Sequence, residues 1–221
     1  MAMEIIPLGD AALIVRTGNS LGAVLRTWSK LTTARLPGVV EVAPAWASVT
    51  VFFDSPRDLD ACVQEVQTAL KKRGKLALRP IRPRIIKVPV CYDREFALDL
   101  DQVATTNNLT PGEVIKRHAA AHYRVRCLGF TAGFPYLSGL PARLATARRS
   151  TPRLRVPAGS VAIGGDQTGI YPLPSPGGWN IVGRTPLRIF DPARENPATL
   201  RPGDRLRFIP IDREEFEKWD K

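Results

Sequence analysis

The chain has 221 residues, 24.3 kDa, with 44% hydrophobic and 24% charged residues, the averages of a soluble globular protein of one large or two small domains. That composition excludes a disordered chain, a collagen-like chain and a coiled coil, and no apolar run approaches the roughly 20 residues of a membrane span. The formal charge of +11 invites a nucleic-acid reading, but the arginines are scattered, and no basic helix, zinc finger or aromatic RNA motif accompanies them; no nucleic acid and no membrane partner is expected.

The N-terminus, MAMEIIPLGD, has no basic n-region and meets an acid at Glu4, so a cytoplasmic location is expected. ALIVRT at 12–17 reads as a strand, and Leu21, Val24, Leu25, Trp28 and Leu31 recur at helical spacing from Ser20. VVEVAP and SVTVFFD alternate like a hairpin around 45–47. Leu59, Cys62, Val63, Val66 and Leu70 mark a second amphipathic helix, and a strand from about Leu76, or from Ile85, would close a βαββαβ, ferredoxin-like set. Five Pro and five Gly precede residue 83, against 15 Pro and 12 Gly after it. That shift in turn chemistry predicts two domains, 1–82 and 83–221, meeting near RPIRPR.

The second part opens with the strand IIKVPV. DLDQVATTNN predicts a short helix, and TPGEVIKRHAAA a capped one with Thr110 as N-cap, Pro111 at the first helical position and Glu113 completing a capping box. Short apolar runs follow between Gly and Pro: YRVRCLGF, GSVAIGG, GIYPL, WNIVG, PLRIFD and DRLRFIPI. Such strands predict a β-barrel or sandwich, and the tail REEFEKWDK a surface helix or frayed end.

Chemistry-bearing residues concentrate between 128 and 186. LGFTAGFPYLSGL and VPAGSVAIGGDQTGIYPLPSPGGWNIVGRTP suit either a turn-rich barrel or a rigid pocket on which backbone donors and a few side chains converge. His118, Tyr136, Arg153, Ser160, Gln167, Tyr171 and Arg184 are its candidate polar members. The densest basic stretch, Arg143 to Arg155 with Arg148 and Arg149 inside it, suits a solvated loop or an anion site. GGDQTG lacks the Lys-Ser/Thr of a P-loop. Three separated cysteines, Cys62, Cys91 and Cys127, predict buried thiols, and His118 with His122 lacks the glutamate of a zinc-hydrolase helix, so no metal site is expected.

GFTAGFPYL and PRLRVPAGSVAIGGDQTGIYPLPSPGGWNIVGRTP, with LGDAALIV, VPVCYD and RPGDRLRFIPI, resemble the carboxyltransferase C/D-type family over residues 4–212. Ala132 and Asp93 depart from its pattern, which usually has Pro and Gly there. This family holds the B-type subunits of 5-oxoprolinase, allophanate hydrolase subunit 1 and the sporulation-kinase inhibitor KipI. The resemblance implies an α+β fold, a ferredoxin-like α/β domain followed by a cyclophilin-like β-barrel. It implies a subunit that is incomplete alone, opening 5-oxo-L-proline to L-glutamate with ATP, bound at the level of the complex, and with the A-type and C-type 5-oxoprolinase subunits as partners. The alternatives it leaves open are inhibition of a histidine kinase and a carboxyltransferase role on urea or allophanate. On these motifs His118 is the expected acid/base, Arg153 and Arg184 the stabilisers of developing charge, and Gln167 an orienting group. Phe130, Gly133, Phe134, Tyr136, Pro157, Gly159, Ser160, Tyr171, Pro176, Gly177, Gly178 and Trp179 are the expected contacts to a small-molecule substrate.

Overall fold

The structure is a computed structural model that describes residues 4–72 and 83–219. The chain divides into two compact units, 1–82 and 83–221.

In the first unit, strands β1 (Ile5–Pro7), β2 (Ala12–Arg16), β3 (Val39–Pro44) and β4 (Ser48–Phe53) form an antiparallel sheet in the order β1-β2-β4-β3. Helix α1 (Leu21–Ala34) connects β2 to β3 with β4 between them, the split βαβ of the ferredoxin-like arrangement. Its start is fixed by Ser20, whose hydroxyl accepts from the Ala23 N–H. Alternation on β4 buries Val49, Val51 and Phe53, which pack with Leu13, Val15, Val24, Leu31 and, from α2 (Leu59–Lys71), Cys62 and Val66. The edge place beside the first strand of this arrangement is taken by the short β1, which the strand pattern missed. A closing strand from Leu76 lies outside the described residues, and the alternative from Ile85 is corrected, because Ile85–Cys91 is β5 and pairs within the second unit.

The second unit is a closed barrel in the order β10-β7-β6-β13-β5-β12-β9. Its strands are β5, β6 (Tyr123–Leu128), β7 (Pro135–Ser138), β9 (Ser160–Gly164), β10 (Gln167–Ile170), β12 (Asn180–Arg184) and β13 (Arg205–Ile211). Closure leaves no sheet edge to be protected. Alternate residues, among them Val88, Val90, Val125, Leu137, Val161, Ile163, Val182, Leu206 and Phe208, fill one core. Helices α3 (Leu100–Thr106) and α4 (Pro111–Ala120) add Val103 and Val114 to it, with the Thr110–Glu113 capping box in place. A two-stranded ribbon, β8 (Arg153–Val156) with β11 (Ser175–Gly177), lies apart from the barrel ladder. Helix α5 (Arg213–Lys218) follows β13. PLRIFD is not a strand: a single bridge, Phe190 to Ala198, pins it, while Ile189 anchors it in the core. Among the described residues no helix is long and apolar enough to cross a membrane.

Candidate functional site

The glycine-rich motifs build a cluster on the outer wall of the barrel. On β9 and β12, Val161, Ile163 and Val182 face the core, so Ala162 and Ile181 point the other way. Over them pack Phe134, Tyr171, Trp179 and Val156, with Tyr136 against the group. Phe134 is the hub: its ring meets Tyr136, Tyr171 and Trp179 edge-to-face at centroid separations of 5.0, 5.2 and 5.5 Å, the preferred geometry of aromatic pairs. The indole can lie on the backbone because Gly164 has no side chain; a Cβ there would sit 2.5 Å from the Trp179 ring. Gly177 serves Tyr171 in the same way.

Above this floor opens a cavity of about 300 Å³ lined by Phe130, Phe134, Tyr136, Tyr171 and Trp179, by Arg148 and Arg149, and by Pro152, Pro176, Gly177 and Gly178. Phe130 stands at it with 61% exposure and a left-handed φ of 66°. A left-handed backbone costs a non-glycine residue energy, and such strain is concentrated at ligand-contacting positions of proteins. Burial pushes the phenols of Tyr136 and Tyr171 above their ordinary range, so both stay protonated donors at neutral pH.

The charge around the cavity is organised by Asp99, 4% exposed. Its carboxylate accepts from Arg149 Nη1 at 2.9 Å, from Arg153 Nη1 and Nη2 at 2.8 and 2.9 Å, and from the Ile181 N–H at 2.7 Å. One acid thus holds two guanidinium groups, and Arg149 Nε remains buried without a hydrogen-bond partner. Arg148, exposed, lies 5.7 Å above the Trp179 ring centroid as a cation–π pair. It has no ion pair among the described residues. Three arginines against one carboxylate leave the cavity cationic.

The structure brings together Phe130, Phe134, Tyr136, Tyr171, Pro176, Gly177, Gly178 and Trp179 of the expected set. Arg153 stands beside them, tied to Asp99 rather than free. His118 is elsewhere: it is fully buried, stacked on Phe208 at 4.5 Å, with Nδ1 2.8 Å from the Tyr92 hydroxyl and Nε2 3.3 Å from Thr168 Oγ1. Desolvation lowers its pKa to about 3, which makes it a neutral core residue and not a proton carrier at neutral pH. Arg184 lines a second, larger cavity of about 630 Å³ with Gly159, Phe216 and Trp219, and its Nε donates to the Ala158 carbonyl. Gln167 is half-buried at the β9–β10 hairpin and lines neither cavity. Gly133, Pro157 and Ser160 also lie outside both: Gly133 makes a positive-φ turn against Phe190, Pro157 is exposed, and Ser160 is buried on β9. Sequence reasoning missed Asp99, Arg148 and Arg149 as members. The two arginines had a signal in the basic stretch from Arg143 to Arg155; the DLDQ around Asp99 offered none.

The second unit is thus a closed barrel that carries an aromatic cleft edged by arginines on its outer wall. Residues 3–200 match the model of the carboxyltransferase domain, subdomain C and D, and the chain belongs to that family. It is 38% identical to the B-type subunit of 5-oxoprolinase from Bacillus subtilis (strain 168), over 98% of this chain and 96% of that one. It is 46% identical to the B-type subunit of 5-oxoprolinase from Escherichia coli O157:H7, over 79% of each. Among solved structures it is similar to TTHA0988, at a TM-score of 0.77 and 35% identity, covering 91% of this chain but only 40% of that longer one. The α+β reading, a ferredoxin-like unit before a cyclophilin-like barrel, agrees with these relatives and with the strand orders above.

Proposed function

We propose that this chain is the B-type subunit of a 5-oxoprolinase, and that its aromatic–arginine cleft receives 5-oxo-L-proline for opening to L-glutamate in a complex with A- and C-type subunits. The observation that carries the reading is similarity to B-type 5-oxoprolinase subunits along nearly the whole length of both chains. The cleft supports it. A cavity of about 300 Å³ suits a small ligand; its apolar walls suit a five-membered ring, and Arg148 suits a carboxylate. The protonated hydroxyls of Tyr136 and Tyr171 can donate to a lactam oxygen.

ATP, expected at the level of the complex, would activate the lactam oxygen. Neither GGDQTG nor the aromatic cleft offers it a phosphate cradle. GGDQTG forms the β9–β10 hairpin, where the Gly165 N–H donates to the Thr146 carbonyl, and Ile170 and Tyr171, not the Lys-Ser/Thr of a P-loop, follow it in the sequence. Two of the three cleft arginines are already committed to Asp99. No step through ATP is therefore assigned to this chain, and its part is to bind, orient and exclude water.

The test is a complex reconstituted with A- and C-type subunits and assayed side by side on 5-oxo-L-proline, urea and allophanate. Glutamate release with ATP, lost when this chain is left out, is the expected result. Preferential turnover of urea or allophanate would move the chain to the carboxyltransferase reading, and kinase inhibition without any turnover to the regulatory one.

A further inference from the structure

Three neighbouring barrel strands carry a charge pattern that the cleft does not use. In the order β6, β13, β5, their sequences YRVRCL, RLRFIPI and IIKVPVC hold five basic residues and no carboxylate. Alternation turns Leu206 and Phe208 into the core and leaves Arg205 and Arg207 outside, both exposed. Register then sets like charges side by side: Arg205 is opposite Arg124 across the antiparallel ladder, and Arg207 opposite Lys87 across the parallel one.

Like charges directly opposite one another destabilise a sheet, and nothing in this stretch offsets them. None of the four has an ion pair among the described residues, and Arg124 Nε is buried with no hydrogen-bond partner. The neighbouring carboxylate, Asp204, is itself buried and is taken by Arg84. Beside Arg205 in register stands Ile85, 63% exposed. We infer that the outward face of β6, β13 and β5 is a docking surface for an acidic face of a companion subunit. This rests on the reading of the chain as one member of a multi-subunit complex.

Two observations favour a protein over a nucleic acid. Arginine beside an exposed aliphatic side chain is the composition of a protein interface, whereas these strands offer no exposed aromatic ring on which bases could stack. The relative TTHA0988 also carries the equivalent of this chain as only 40% of one polypeptide, so in that protein further polypeptide accompanies the fold. Carboxylates on a companion would relieve the repulsion between the register pairs, and attraction across such a face is screened by salt.

The experiment is titration of the C-type companion into the full chain by calorimetry at 50 and 300 mM salt, for wild type, for Arg205→Glu/Arg207→Glu and for Arg205→Lys/Arg207→Lys. Circular dichroism checks that each variant is folded. The inference expects wild-type binding that weakens with salt, about a tenfold or greater loss in the charge-reversed variant with a flatter salt dependence, and near-normal binding in the lysine variant. Equal binding by wild type and the folded charge-reversed variant at both salt concentrations would overturn this surface while leaving the proposed place in a complex intact. Wild type failing to bind the companion at all would overturn both. A duplex DNA bound as tightly as the companion, and lost in the same variant, would overturn the assignment to a protein partner.

Discussion

Replacing Asp99 by Asn probes the hub of the cleft with almost no change of shape. The amide oxygen can still accept from the Ile181 N–H, so the perturbation is the loss of one negative charge between two guanidinium groups. Breaking a fully buried charge pair costs about 3–5 kcal/mol. Here the carboxylate is buried, but the Arg149 and Arg153 side chains are 35% and 22% exposed, and solvent takes up part of the stranded charge. About 2–3 kcal/mol is therefore expected, which at a urea dependence of roughly 2 kcal/mol per molar moves the unfolding midpoint down by about 1 M. Because the chain has two units, a single global transition is not assured; amide hydrogen exchange of peptides spanning 149–184 in a urea series reads the affected region directly. Adding Arg153→Met completes a double-mutant cycle. A coupling of at least about 1 kcal/mol is expected for residues sharing these hydrogen bonds. A midpoint shift below about 0.2 M, or an Arg153→Met cost that is the same with and without Asp99, would refute the hub.

His118 supplies a pH signature. Its folded pKa, about 3, lies below its unfolded value, so the unfolded chain binds the extra proton and stability falls as pH drops from about 6.5 towards 3. At pH 5 this amounts to roughly 2 kcal/mol relative to pH 8; in urea titrations His118→Gln should flatten that part of the profile, and an unchanged slope would contradict the buried neutral imidazole. Gly164→Ala should cost about 1–3 kcal/mol by pushing a methyl into the Trp179 ring, visible as a shift in thermal melting and in near-ultraviolet circular dichroism; an unshifted melt would show that the indole does not rest on that backbone.

Much of this fold was legible in the chain because its signals are local. Ser20 and Thr110 announce their helices by capping chemistry, and the Gly/Pro-spaced apolar runs announce a barrel. The short β1 was not legible, since three residues carry no periodicity, nor was the fate of Ile85, whose apolar run suits either unit until its parallel partner β13 is known. The cleft shows the same division. Its aromatic and glycine members lie in two dense motifs, and one physical fact, that rings lie against backbone only where a Cβ is missing, explains their density. Asp99 joins Arg149 and Arg153 across some fifty positions, a pairing that no spacing rule reports. His118 misled because an imidazole near a helix end looks the same in sequence whether it faces a cleft or stacks on Phe208.

The most direct test of the central claim is the steady-state kinetics of the reconstituted complex carrying Arg148→Ala. Arg148 sits on the cavity surface without an acid partner among the described residues, so its loss should leave folding unchanged while removing one charge-assisted contact to the substrate carboxylate, about 1.4 kcal/mol. The KM for 5-oxo-L-proline should rise about tenfold, with kcat within about twofold of wild type. An unchanged KM in a complex that contains the variant would place 5-oxo-L-proline somewhere other than this cleft.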